Sequence, residues 1–177
     1  VSQAEHDTDA VVAAVTADAD LAAAIRESAI EQASEREREE IIRGAFDSAA
    51  SGVFLARSMS EATLFAEEYA AEHLSIVAED DEALLDRIDN AGSVFLGPYS
   101  PVAAGDYASG PNHVLPTGGA AKRVGGLSVE NFVRSPTVQR LDEDSLGDIR
   151  ETVTTLAQTE GLEAHAESVD KRFEERR

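Results

Sequence analysis

Short apolar runs of strand length alternate with longer segments of helical periodicity through the first half of this chain. That alternation limits the folds open to it. Ala10 to Thr16, Val53 to Ala56, Ser75 to Val77 and Ser93 to Leu96 are strand-length apolar runs. Between them, Leu21, Ala24, Ile25, Ala29 and Ile30 recur at helical spacing, and Ile41, Ile42, Ala45 and Phe46 continue a helical face. Ala62, Leu64, Phe65 and Tyr69 mark a further helix, and Asp81 to Ile88 another. Thr16, Asp18, Ser58 and Ser60 stand where helix caps belong. The charged run Glu35 to Glu40 reads as a solvated link between paired helices. Strands alternating with helices predict an α/β fold, a partial Rossmann-like layer with a largely parallel sheet.

The pattern changes after the last of these strands. Residues 105 to 117, Gly-Asp-Tyr-Ala-Ser-Gly-Pro-Asn-His-Val-Leu-Pro-Thr, carry two glycines and two prolines and predict a shaped loop with no helix in it. Asp106, Asn112 and His113 lie within it, and a carboxylate beside an imidazole suits acid–base or metal chemistry. Gly118 to Gly126 is glycine-rich, but its spacing fits neither phosphate-binding fingerprint and predicts a flexible link. Leu146, Ile149, Val153 and Leu156 then share a helical face. Gly161 interrupts it, and Leu162, Ala166, Val169 and Phe173 form another. This divides the chain into an α/β portion, residues 1–127, and a small helical appendage, residues 128–177.

Charge narrows the partners. Thirty-five acidic residues face fifteen basic ones, a net charge of −20, which disfavours nucleic acid and anionic membranes. Only Lys122 and Lys171 are lysines, and an acidic, lysine-poor surface suits a cytoplasm rich in salt. There is no cysteine for a disulfide or a thiolate ligand, and no apolar run approaches the ~18 residues of a membrane helix. A cytoplasmic chain is expected. Residue 1 is valine, and a chemical motif begins at once, as expected of part of something longer.

Four short motifs remain. Gln3 and His6 stand one helical turn apart in Ser-Gln-Ala-Glu-His. Glu72 and His73 fall where a helix gives way to a strand. Asp106 and His113 share the punctuated loop, and Glu160 and His165 share Glu-Gly-Leu-Glu-Ala-His between the last two helices. Each pair alone is most simply surface. Together, in this order, they resemble the histidinol dehydrogenases, and each of the four histidines falls on one of that family's histidine-bearing motifs. The resemblance runs from Gln3 to the last helix and is to the carboxy-terminal portion of the enzyme, in the form expected of a halophilic archaeon.

The resemblance implies zinc held by Gln3, His6, Asp106 and His165, with L-histidinol bound beside these ligands and beside His73 and Glu160. It implies His73 as general base and Glu72 as the group that activates water, in an NAD-dependent oxidation of L-histidinol to L-histidine through histidinal. His113 belongs to the neighbourhood of the site. The last helical motif is expected to reach the site of a neighbouring subunit, so a homodimer is implied. The nicotinamide contacts are expected in an amino-terminal part absent here, where no Gly-x-Gly-x-x-Gly occurs, and the isolated segment is expected to be inactive. Alternatives are a related zinc- and NAD-dependent dehydrogenase of another amino or hydroxy alcohol, and a non-catalytic metal-binding module.

The charge alone generates a test. Screening shortens from about 10 Å at 0.1 M salt to about 3 Å at 1 M, which relieves repulsion between exposed carboxylates. The melting temperature is therefore higher in molar than in tenth-molar KCl. A melting temperature that stays level or falls across that range contradicts the halophilic reading.

Overall fold

A computed structural model describes residues 1–174 of the chain. They form two compact units, Val1–Phe132 and Val133 onward. The first has α/β character. A short 3-10 helix, Gln3–Glu5, leads into strand β1 (Ala13–Thr16), followed by helices α1 (Ala19–Ser34) and α2 (Glu39–Phe46). Strand β2 (Gly52–Leu55), helix α3 (Met59–Tyr69), strand β3 (His73–Ile76), helix α4 (Asp81–Leu85), strand β4 (Ser93–Leu96) and helix α5 (Val102–Tyr107) complete the sequence of main elements.

The caps follow the sequence. Asp18 accepts hydrogen bonds from the backbone N–H groups of Asp20 and Leu21 and starts α1. Ser58 accepts from Glu61 and starts α3, and Asp80 accepts from Ala83 and starts α4. Helix α3 ends on Ala70 in the left-handed region, φ 52°. The next two residues lead directly to β3.

The parallel character of the sheet is as expected, but its continuity is not. Among the described residues, β1 pairs in parallel with β2, and β3 with β4, as two separate two-stranded sheets. In the second pair His73 stands opposite Ser93 and Ser75 opposite Phe95. Each parallel pair needs a crossover, supplied by α1 and α2 in one case and by the short α4 in the other. Helix α4 is briefer than Asp81–Ile88, because residues 86–87 continue only as a turn.

Two further expectations change. Residues 102 to 107 are helical, so Gly105 and Asp106 lie on α5 and not in an open loop. A mid-helix glycine costs about 1 kcal/mol relative to alanine, and here it stands directly against the Phe95 ring. The glycine-rich segment 118–126 is also more ordered than a flexible link. Ala121 is buried in a 3-10 turn, Lys122 pairs with Glu68 at 2.7 Å, and the Leu127 N–H donates to the Val114 carbonyl at 2.9 Å. That pairing holds the exposed Glu68 carboxyl below its ordinary range.

The second unit is a helical hairpin. Helix α6 (Glu143–Thr159) is capped by Asp142, whose carboxylate accepts from the Ser145 N–H at 2.8 Å. Gly161 turns the chain at φ 76°, and α7 (Glu163–Asp170) follows. Ala157, Ala166 and Val169 are buried, and Arg150 joins the helices through Asp170 at 2.8 Å while lying over the Phe173 ring.

A small apolar cluster fixes the start of the chain. Ala4, Ala33, Ile42 and Ala45 are all 0% exposed, with Val1, Val12 and Phe46 packed around them. Ile42 is the large side chain of that cluster. Ile42→Ala therefore costs about 2–5 kcal/mol of stability and loosens the turn that carries Gln3 and His6. Thermal melting at fixed high salt measures it, and a loss well below that range means that the cluster collapses to fill the space.

Candidate active site

Gln3 and His6 bracket the buried Ala4. Because Ala4 packs into the cluster against α2, the 3-10 turn is held by its middle. Side chains three residues apart nearly eclipse in such a turn, so Gln3 and His6 project from one side. The His6 carbonyl accepts a hydrogen bond from Arg38 at 3.3 Å, and its imidazole is exposed.

Glu72 and His73 occupy the amino end of β3. The Glu72 carbonyl accepts from the Ser93 N–H at 2.9 Å, and the Ala71 carbonyl accepts from Gly92 at 2.9 Å. These bonds fix the backbone where the two reactive side chains begin. Gly92 permits the approach. A Cβ there would lie 2.6 Å from the Glu72 carbonyl oxygen and 3.0 Å from Pro116 Cδ. Pro116 is buried, so the far end of the sequence from Gly105 to Thr117 is pressed against the same strand ends.

The other end of that sequence returns Asp106 to His73. His73 Nε2 and Asp106 Oδ1 are 3.6 Å apart, with side-chain exposures of 16% and 19%. That separation is too long for a hydrogen bond. His73 Nε2 is fully shielded and, among the described residues, has no hydrogen-bonding partner. An unmet polar atom buried beside a carboxylate is costly in a purely structural role. It is a natural point for a substrate hydroxyl or a coordinated group to enter. Thirty-two residues lie between His73 and Asp106 in sequence, and the fold removes that distance.

Gln3, His6, Glu72, His73, Asp106 and His113 all line one open cavity of about 1930 Å³. Ordinary small-ligand pockets occupy ~300–1,000 Å³, so this opening is larger than a small ligand requires. Its walls include β1 and β3, each of which has one unpaired edge among the described residues. Tyr69 also borders it, and burial raises the phenol above its usual range. His113 is exposed, next to an Asn112 side chain that accepts from the Val114 N–H at 2.7 Å.

Glu160 and His165 belong to the second unit. Glu160 caps the carboxyl end of α6, and His165 lies in the first turns of α7; both are exposed. Among the described residues no three His, Cys, Asp or Glu side chains stand close enough together to hold a metal ion.

The chain resembles known proteins along nearly its own whole length. The model of the histidinol dehydrogenase family matches residues 1–173. The chain belongs to the histidinol dehydrogenase family. It is 72% identical over 174 residues to the histidinol dehydrogenase of Haloarcula marismortui, covering 98% of this chain and 41% of that one. The histidinol dehydrogenase of Halobacterium salinarum is 67% identical over 175 residues, with 99% and 41% covered. Both relatives come from halophilic archaea, in keeping with the acidic composition. A crystal structure of histidinol dehydrogenase from Elizabethkingia anophelis superposes with a TM-score of 0.91 at 35% identity, covering 97% of this chain and 39% of that one. The chain thus spans about two-fifths of the length of the relatives it matches.

Sequence reasoning singled out the candidate residues but not those that place them. Gly92 has no sequence signal beyond standing before a strand. Phe95 reads only as an interior strand residue. Both touch the ends of the reactive motifs.

Proposed function

We propose that this chain supplies the proton-transfer and zinc-binding part of a zinc- and NAD-dependent histidinol dehydrogenase, which takes L-histidinol through histidinal to L-histidine, the last step of histidine biosynthesis. The observation that carries this reading is the shielded, unpartnered His73 Nε2 beside Asp106 and next to Glu72.

The donor set suits zinc. Gln3 offers an amide oxygen, His6 and His165 imidazoles, and Asp106 a carboxylate, which are ligand types of a borderline cation. Gln3, His6 and Asp106 face one cavity, whereas His165 lies in the other unit, and His165 of a second copy completes the set in a homodimer. Zinc bound there would polarise the substrate's alcohol and orient its amino and imidazole nitrogens.

His73 accepts the alcohol proton as the carbinol carbon gives up a hydride, leaving the aldehyde. An imidazole can both take up and release a proton near neutral pH, which suits it to that exchange. Glu72 then takes a proton from water as its oxygen adds to the aldehyde carbon. The resulting hydrate loses a second hydride, and a further proton departs through His73 to leave the carboxylate. Two molecules of NAD, one for each oxidation, would take the two hydrides, and no residue of this chain is assigned to holding them. Glu160 hydrogen-bonds polar groups of the substrate, and His113 stands at the edge of the site. The breadth of the cavity supports a longer enzyme in which further polypeptide lines its other side and holds the nicotinamide.

The division of roles is testable in the full-length enzyme that contains this segment. His6→Ala and Asp106→Ala lose zinc and turnover together. Glu72→Gln and His73→Ala keep the zinc and lose turnover by about 10²–10⁴-fold, the usual contribution of a positioned acid or base. Elemental analysis beside NAD reduction separates the two classes, and equal zinc loss in all four variants contradicts the assignment.

A further inference from the structure

Phe95 lies between the two reactive elements. It is 8% exposed on β4, one step diagonally from His73 across the β3–β4 pair, and its ring centroid is 6.1 Å from that of the imidazole, tilted by 32°. Its other side meets α5. A Cβ built on Gly105 would lie 2.6 Å from Phe95 Cε1 and 2.9 Å from Cζ. Those distances are far inside ordinary carbon–carbon contact of ~3.5–4.0 Å. Gly105 is buried and immediately precedes Asp106.

One aromatic ring therefore touches the helix that carries Asp106 and faces the imidazole of His73. The helix can come this near only because position 105 lacks a side chain. We propose that Phe95, admitted by Gly105, is a positioning residue that sets the spacing of His73 from Asp106. The assignment rests on the functional reading above, in which His73 moves the proton and Asp106 belongs to the metal set.

The chemistry explains why a rigid spacer is useful here. At 3.6 Å the imidazole and carboxylate are neighbours without a hydrogen bond. If α5 moved a few tenths of an ångström closer, Nε2 would bond to Asp106 and be lost to substrate. If it moved away, base and metal set would no longer address one alcohol oxygen. Phe95 has a fixed planar shape, and its packing on both sides leaves α5 little freedom to drift. The glycine expected to break a helix is thus the residue that lets the helix seat.

The pair makes a double-mutant test, carried out in the full-length enzyme. Gly105→Ala drives a methyl group into the ring, and kcat falls by on the order of 10²-fold, the scale of a misplacement of about 1 Å. Phe95→Leu lacks the two atoms that the methyl group would strike, but also lacks the spacer, and by itself lowers kcat by about tenfold. Combining them relieves the clash, so Gly105→Ala/Phe95→Leu turns over faster than Gly105→Ala alone. Such non-additivity marks residues in contact. KM stays within about threefold and the zinc content is retained in Phe95→Leu, because the ring touches neither substrate nor metal in this assignment. Crystal structures of the variants show the His73–Asp106 separation moved from 3.6 Å in both single variants. Additive losses, or a Phe95→Leu enzyme with wild-type kcat and unchanged separation, overturn the assignment while the unmutated enzyme still oxidises histidinol. An unmutated enzyme that oxidises no histidinol overturns the functional reading, and this one with it.

Discussion

Parallel pairing of β3 with β4 is the constraint on which the candidate site depends. Parallel strands cannot be joined by a tight turn. The chain leaves Ile76, crosses over through α4 and starts β4 at Ser93, level with His73. It leaves β4 at the far end of the pair, and α5 then carries Asp106 back to the end where His73 stands. Ligands in open α/β sheets usually bind at the carboxyl ends of strands. Here the candidate pair, Glu72 and His73, sits at the amino end of β3, and the return of α5 is what brings Asp106 to that end.

Close backbone packing converts that topology into a defined geometry. Gly92 lets Glu72 and Pro116 crowd one strand end, and Gly105 lets α5 rest on Phe95. At the other motif, Ala4 anchors the turn that presents Gln3 and His6. At these three places the chain is held through a small or absent side chain, because a larger one would keep the supporting element away.

The alternation of elements was legible from periodicity, since strands and helices bury different repeats. The caps at Asp18 and Ser58 were legible from residue type and position. The helical state of Gly105 and Asp106 was not, because a glycine between turn signals normally favours the unfolded or turned backbone, and only contact with Phe95 reverses that preference. The separation of the sheet into two pairs was equally hidden, because periodicity reports which residues face a core and not which strands are neighbours. The convergence of His73 and Asp106 came from family resemblance alone. No spacing rule links residues so far apart in a chain.

The central claim is that this segment holds the proton-moving residues of histidinol oxidation, while the nicotinamide is held by polypeptide that the longer relatives carry in addition. Loss of positioning can remove about 7–11 kcal/mol of rate advantage, more than the proton-transfer groups can offset by themselves. The most direct measurement is absorbance at the reduced-cofactor band, with histidinol, zinc and NAD in molar salt. The purified chain of 177 residues is compared with a full-length histidinol dehydrogenase. The full-length enzyme reduces NAD and the shorter chain does not. Reduction of NAD by the shorter chain, free of any longer form, would place the cofactor on this segment and contradict the claim.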